Sequence, residues 1–242
     1  MKKYTLNKFI VMLIVLFIWQ LASFFYNEIV LPSPLNVIYS LRDILIKENF
    51  ITIIGYSFMR TLIGLLFAIS FGTVIGLFSG LNEKFNSYIS PIVIFIQSMP
   101  IISWIILALI WFDNNFIPIF ILIIATIPIF ILNISTAILN TDKNLIEMAN
   151  IYKVSKKKIM KNIYLPTIKS NFFSSLKIGS GQGFKISIMA EIIARSQNGI
   201  GEKMNWAWIN IETSDIIAWS LIIVFISFFF EFIINLFLEK KL

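Results

Sequence analysis

The stretch TLIGLLFAISFGTVIGLFSG, Thr61 to Gly80, contains no charged side chain. A helix needs about 20 apolar residues to cross the hydrocarbon core of a bilayer, so this run predicts a transmembrane helix. Its glycines, Gly64, Gly72, Gly76 and Gly80, are separated by multiples of four and therefore share one helix face. A stripe of small residues favours close contact between helices in lipid, and we expect such a contact here.

Five further apolar runs predict five more transmembrane helices, giving an all-α polytopic membrane protein with about six spans. They are Phe9 to Phe25, about Ile89 to Trp111, about Phe116 to Ile134, about Phe172 to Ala194 and Ile216 to Leu238. The first run has a basic start but no small-residue cleavage site after it, so we interpret it as an uncleaved anchor. No linker is visible, and we expect residues 1–242 to form a single transmembrane domain.

A short amphipathic helix is predicted between the first two spans. Val37, Leu41, Ile44 and Leu45 recur there at helical spacing, behind the prolines of LPSP. Because the segment is too short and too polar to span a bilayer, we expect it to lie at the membrane interface.

Composition and charge narrow the function classes. Of the 242 residues, 58% are hydrophobic and 14% are charged, an apolar excess that one soluble core cannot hide. Histidine and cysteine are absent, which excludes disulfides, thiolate chemistry and imidazole ligation of zinc or haem. The net charge of +7 reflects lysines on one side of the predicted spans, so it indicates topology in a lipid bilayer rather than nucleic-acid binding. The positive-inside rule places both termini of this cell-membrane protein in the cytoplasm.

One cytoplasmic segment, residues 140–170, is rich in lysine but keeps a helical apolar pattern. A first helix is predicted to be capped by Thr141. Its apolar face consists of Leu145, Met148, Ala149 and Tyr152. A second helix is predicted to be capped by Ser155 and closed by Pro166. Its apolar ridge consists of Ile159, Met160, Ile163 and Tyr164.

Two interpretations of this helix pair remain open on spacing alone. The seven lysines between positions 143 and 169 suit a basic surface that lies on anionic lipid. The two apolar ridges equally suit docking into a groove of a soluble protein.

Several motifs resemble a known family. Six residues of the segment resemble the EAA loop of bacterial ABC importer permeases: Glu147, Ala149, Ser155, Ile163, Leu165 and Pro166. Four more stretches are similar to permeases of the nitrate, sulfonate and taurine type. They are LPSP, RTLIG at Arg60 to Gly64, AEIIA at Ala190 to Ala194 and NGIG at Asn198 to Gly201. The two-proline run PIVIFIQSMPIISWIILALIWF is also similar, and the resemblance has its core at about residues 55–237.

The resemblance implies a type I-like importer permease fold in which two copies of the chain surround one translocation path. It further implies a cytoplasmic ATPase that uses ATP and Mg²⁺, an extracytoplasmic substrate-binding protein, and no cofactor in this chain. The ATPase would grip residues 140–170 as a helix-turn-helix coupling loop and rock the spans. The coupling residues implied are Leu145, Glu147, Met148, Ala149, Tyr152, Lys153, Ser155, Ile159, Leu165 and Pro166.

Two positions depart from the family pattern. The family usually has glycine at the turn between the two short helices, where this chain has Lys153. A left-handed backbone conformation costs a lysine about 1 kcal/mol, so the resemblance does not fix the geometry of this turn. Met148 replaces the first alanine of the motif and adds apolar bulk.

Polar residues within the predicted spans are candidates for lining the path. They are Gln97, Ser98, Ser103, Lys185 and Glu191. An ammonium group at mid-membrane depth is costly when it faces lipid. Lys185 is therefore expected either to line the path, which favours an anionic or polar substrate, or to pair with an acidic residue such as Glu191 or Glu231.

The stretch GSGQGFK, Gly179 to Lys185, is not a nucleotide-binding loop. It lacks the spacing of a Walker A motif and no strand precedes it, which leaves ATP hydrolysis to a partner. Gly179 and Gly183 share a helix face and predict a second close helix contact.

Other function classes fit less well. A membrane enzyme would have only Glu191, Glu231 and Lys185 as convergent ionisable groups, and a channel would not need the paired docking helices. Within the transporter class, the resemblance fits nitrate, sulfonates, taurine or a thiamine-precursor pyrimidine as substrate, because specificity rests largely with the binding protein. The outer segment, Lys203 to Asp215, could meet that protein.

Overall fold

The computed structural model describes residues 2–47 and 49–239, and in that part of the chain every assigned element is a helix. The helices are α1 (Lys2–Ser23), α2 (Pro34–Lys47), α3 (Phe50–Leu81), α4 (Glu83–Ser98), α5 (Ile101–Trp111), α6 (Ile117–Leu139), α7 (Lys143–Ile151), α8 (Lys156–Ile159), a π-helical turn (Met160–Tyr164), α9 (Leu165–Ala194), α10 (Ile200–Ile209) and α11 (Thr213–Glu239). The predicted all-α class is confirmed.

The glycine face of α3 lies directly against α6. A Cβ atom placed on Gly64 would stand 2.8 Å from a side-chain carbon of Leu122, and one on Gly72 would stand 2.6 Å from the Cβ of Phe130. Any larger residue would therefore push the two helices apart. The later glycine of α3 meets the later residue of α6, so the two helices run in the same direction. The predicted close contact of the glycine stripe is confirmed.

Helix α9 packs against the same surface in the opposite direction. A Cβ on Gly179 would lie 3.3 Å from the ring of Phe130, and one on Gly183 would lie 2.9 Å from Leu122. The small-residue contact predicted for these two glycines is confirmed. Helices α3, α6 and α9 thus form the centre of the molecule.

The predicted amphipathic helix between the first two spans corresponds to α2. Val37 and Ile44 are buried and share a cluster with Phe184 of α9 and with Ala218 and Trp219 of α11. This packing covers Val37 and Ile44 and fixes α2 beside α11, whereas Leu45 of the predicted face is 53% exposed.

The predicted spans correspond to helices that differ in length and polarity. In the described residues, α3, α6 and α11 are long and apolar enough to cross a membrane, and α4 with α5 gives a fourth span if the bent pair counts as one. The first predicted span lies in α1, whose described part includes the apolar helix Ile10–Ser23. The fifth lies in α9, which is 30 residues long and less apolar than α3, α6 and α11.

The predicted third span, Ile89 to Trp111, is broken into two helices. Helices α4 and α5 are separated by Met99 and Pro100, and their axes differ by 96°. Proline has no N–H, so the carbonyl of Ile96 loses the donor that a continuous helix would supply. The indole N–H of Trp104 donates to this carbonyl instead, at 3.4 Å.

Candidate functional site

The lysine-rich loop, residues 140–170, joins α6 to α9 and contains α7. This helix begins after Asp142, whose carboxylate accepts a hydrogen bond of 2.9 Å from the backbone N–H of Asn144. The prediction that Thr141 caps the helix is wrong. The hydroxyl of Thr141 is buried and donates to the carbonyl of Ala137 at 3.1 Å, because the residue directly follows α6 and satisfies that helix.

The turn after α7 is a Schellman motif with a lysine at its left-handed position. Lys153 has a φ of 52°. Its N–H donates to the carbonyl of Asn150 at 3.0 Å, and the N–H of Val154 donates to the carbonyl of Ala149 at 2.9 Å. Glycine normally occupies this position. The chain keeps the left-handed turn with a lysine in it, at a cost of about 1 kcal/mol.

The second short helix does not end where the sequence predicts. Ser155 stands at its N-cap position, but the hydroxyl makes no capping hydrogen bond. Helix α8 continues through the π-helical turn into α9, so the prediction that Pro166 closes it is wrong. In the π turn the N–H of Leu165 donates to the carbonyl of Met160, and Pro166 falls in the first turn of α9, where a helix tolerates proline. Helical structure therefore connects α8 to α9 without interruption.

Helix α7 and the turn after it are apolar at four exposed positions. They are Leu145, Met148, Ile151 and Tyr152. Met148 is 50% exposed and Tyr152 is 77% exposed, which is unusual for side chains of this size beside so many lysines. Ile151 is absent from the predicted set, although its position three residues after Met148 is a signal that could have found it.

The remaining predicted coupling residues divide into two groups. Ala149 and Ile159 are buried, so they stabilise the fold of the loop and do not contribute to its outer surface. The others are exposed: Glu147, Lys153, Ser155, Leu165 and Pro166.

A buried polar cluster lies at the other end of α9, where three of the quoted motifs meet. Arg60 donates from Nη1 to Oε1 of Glu191 at 2.9 Å. The hydroxyl of Ser57 donates to Oε2 at 2.7 Å, and the N–H of Gly201 donates to the same oxygen at 3.1 Å. Glu191 is fully buried, and both of its oxygens are satisfied by protein donors.

Arg60 also binds the segments before α6 and after α9. Its Nη2 donates to the side-chain oxygen of Asn115 at 2.8 Å and to the carbonyl of Gln197 at 2.6 Å. A Cβ on Gly199 would stand 2.6 Å from Oε2 of Glu191, so the first glycine of NGIG is needed for this approach. The cluster therefore fastens the starts of α3, α6 and α10 to the end of α9.

The residues predicted to line a path lie in different surroundings. Gln97 lines a cavity of about 380 Å³ at the α4–α5 break. Ser98 is exposed but donates within its own helix to the carbonyl of Ile94 at 2.8 Å, and Ser103 is half-buried. Glu191 lies in the polar cluster, away from any exposed surface.

Lys185 makes neither of the ion pairs considered for it. Glu191 pairs with Arg60, and Glu231 lies 3.9 Å from the ammonium of Lys177. Lys185 itself is exposed on α9 and has no acidic partner in the part of the chain that the structure describes.

Sequence reasoning did not identify four residues of these sites: Ser57, Arg60, Asn115 and Gln182. Arg60 carried a usable signal, because it is the only charged residue of the apolar α3. A lone charge in such a helix requires a buried partner. Ser57 and Asn115 carried none, because neutral polar residues are common in loops and helices.

A family model described as binding-protein-dependent transport system inner membrane component matches residues 72–240. The nitrate import permease protein NrtB of Synechococcus elongatus is 28% identical over 199 residues, which cover 78% of this chain and 71% of that protein. The taurine transport system permease protein TauC of Escherichia coli is 23% identical over 223 residues, covering 88% and 80%. The bicarbonate transport system permease protein CmpB of S. elongatus is 26% identical over 146 residues, covering 60% and 52%.

Proposed function

Because this chain belongs to the family of binding-protein-dependent transport system inner membrane components, we propose that two copies of it enclose the solute path of an importer driven by a separate ATPase. The chain is a multi-pass ABC permease of the nitrate, sulfonate and taurine type and not an enzyme. In the proposed assembly the ATPase binds on the cytoplasmic side, where both termini lie, and a binding protein delivers the solute from outside.

The exposed apolar surface of the lysine-rich loop is the observation that carries this proposal. Met148 and Tyr152 are exposed on this surface, and a groove of a soluble partner would bury them. Membership of a binding-protein-dependent transport family supports such a partner over anionic lipid. Glu147 is exposed on the same helix and offers a carboxylate to a basic group of the ATPase. The loop is therefore the proposed coupling surface, with Ala149 and Ile159 as its internal supports.

The connection from this surface to the rest of the molecule is suited to transmitting movement. Helix α9 extends about 45 Å from the loop, by the rise of an α-helix, and reaches the buried cluster around Glu191. Force applied at α7 would pass through the Schellman turn to α8, which continues through the π turn into α9.

The exposed side of α9 carries polar residues, which favours assembly of the chain with a second copy. This stripe carries Ser174, Gln182 and Lys185 beside the exposed Ile178 and Met189, whereas the exposed stripe of α11 is formed by residues such as Phe225 and Phe228. Lipid solvates the α11 stripe but not the α9 stripe. We therefore place the α9 stripe on a water-filled path that a second copy completes, with Lys185 on its wall.

The proposed substrate is a small polar or anionic solute. The relatives are described as permeases for nitrate, taurine and bicarbonate, all small and rich in oxygen atoms. An exposed ammonium at Lys185 is compatible with such solutes, and the binding protein would select among them.

The test of ATPase docking uses one carboxylate at two positions of α7. Met148→Asp places a charge within the apolar surface, and we expect it to weaken co-purification with the ATPase at least about tenfold, or about 1.4 kcal/mol. Asn150→Asp adds the same group at an exposed position of the same helix and is expected to bind within about twofold of the unmodified chain. Equal binding by the two variants would remove the loop as the docking surface.

A further inference from the structure

The cavity at the α4–α5 break lies between the broken span and the central helices α6 and α9. Gln97 and Trp104 line it from the broken span, Ala125 and Pro128 from α6, and Gln182 from α9. The volume of about 380 Å³ falls in the range of small-molecule sites.

The break in the backbone creates this space. The chain turns by 96° between α4 and α5, so the two helices diverge where a straight span would have filled the volume. The hydrogen bond from Trp104 to the carbonyl of Ile96 holds the break in a fixed shape. Irregular backbone at membrane depth is tolerated where it is buried in protein or lines a water-filled cavity.

The two glutamines that line the cavity have no partner in the described chain. Gln97 and Gln182 are exposed, and neither side chain forms a hydrogen bond with another described residue. A primary amide has two donors and one acceptor oxygen, and leaving them unpaired in an apolar environment is unfavourable. The amides therefore need water or a polar solute within the cavity.

The position of Gln182 along α9 gives the height of the cavity within the bundle. By the rise of an α-helix, Gln182 lies roughly 25 Å from the start of the helix at Leu165 and roughly 14 Å from Glu191. It thus lies between the proposed coupling surface and the buried cluster.

We propose that this cavity is part of the solute path and that Gln97 and Gln182 supply the hydrogen bonds a passing solute exchanges for water. This inference rests on the proposed function. Of the described lining residues, none is charged, so the site contacts solutes through neutral amides and holds them without a fixed counter-charge. It suits small solutes with several oxygen atoms, and the lack of a fixed charge favours release as well as entry.

The natural chain has no cysteine, so single cysteines can report access to this cavity. Gln97→Cys and Gln182→Cys would be reconstituted in lipid nanodiscs with the ATPase and treated with the membrane-impermeant reagent 2-sulfonatoethyl methanethiosulfonate. The matched control is Phe225→Cys, since Phe225 is 73% exposed on the apolar side of α11.

Both glutamine positions are expected to react at least about tenfold faster than the control. Rates as slow as the control would overturn the proposal. Labelling of the chain alone, run in parallel, reports on water in the cavity even if no ATPase binds. Absence of ATPase binding in that comparison counts against the proposed function, whereas unreactive cysteines in an assembled complex count against the cavity alone.

Discussion

Glu191 shows how one side chain can join distant parts of a membrane protein. Its two oxygens accept from Arg60 and Ser57 of α3 and from the N–H of Gly201 in α10. Within a bundle that excludes water, either charge alone would be strongly unfavourable, so each is stable only because the other is present. The buried pair thus fixes the relative positions of α3, α9 and α10.

Removing the charge of Glu191 is therefore expected to be costly. Glu191→Gln leaves the Arg60 guanidinium without its carboxylate and should lower the free energy of unfolding by roughly 3–5 kcal/mol. The matched control is Glu231→Gln, which breaks the partly exposed pair with Lys177 and should cost under about 1 kcal/mol. Thermal unfolding of the purified variants in detergent measures both, and equal midpoints would contradict the structural importance of the buried pair.

The partnership of Arg60 and Glu191 could not be predicted from the sequence, although both residues lie in motifs that the sequence analysis quoted. They are 131 positions apart, and no local pattern reports which distant charge neutralises which. The same limit applies to Gln182, because only the packing of α9 against the broken span shows that it shares a cavity with Gln97.

At the scale of elements, helical periodicity found the lysine-rich loop and most of its apolar face, but not the ends of its helices. Thr141 and Asp142 are adjacent, and either side chain can cap a helix. The hydroxyl of Thr141 is already bonded to a carbonyl of α6, so Asp142 caps α7. Proline interrupts a helix where its missing N–H would have bonded to a carbonyl of the preceding turn. Here the π turn precedes Pro166, and the helix continues past it. Both outcomes depend on neighbouring elements rather than on local sequence.

The left-handed turn between α7 and α8 gives a prediction at this scale. Lys153→Gly should relieve the strain of a φ of 52° and stabilise the turn by about 1 kcal/mol. Hydrogen exchange of the Val154 amide, which is bonded across the turn, should slow about fivefold. The control is Asn150→Gly inside α7, where glycine weakens a helix and exchange should accelerate. Faster exchange in Lys153→Gly would show that the lysine stabilises the turn through contacts of its own.

For the whole molecule, hydropathy located the long apolar helices α3, α6 and α11. It also predicts a span in α9, which is 30 residues long but less apolar than these three helices. The glycine stripes correctly predicted the contacts of α3 and α9 because they act through local geometry alone. The surroundings of the exposed polar stripe on α9 are set by a second molecule, which a single sequence does not describe.

That stripe gives the prediction for the assembly. If two copies enclose a water-filled path, then Lys185 of each copy faces the same space, whereas Phe225 of α11 faces lipid. A single cysteine introduced as Lys185→Cys should therefore be cross-linked by a flexible bismaleimide into a product of twice the chain mass in membranes. Phe225→Cys, which is also exposed in one copy but lies on the apolar side of α11, should remain a single chain. Cross-linking at Phe225 without cross-linking at Lys185 would place the contact between copies on α11 and turn the α9 stripe away from the path.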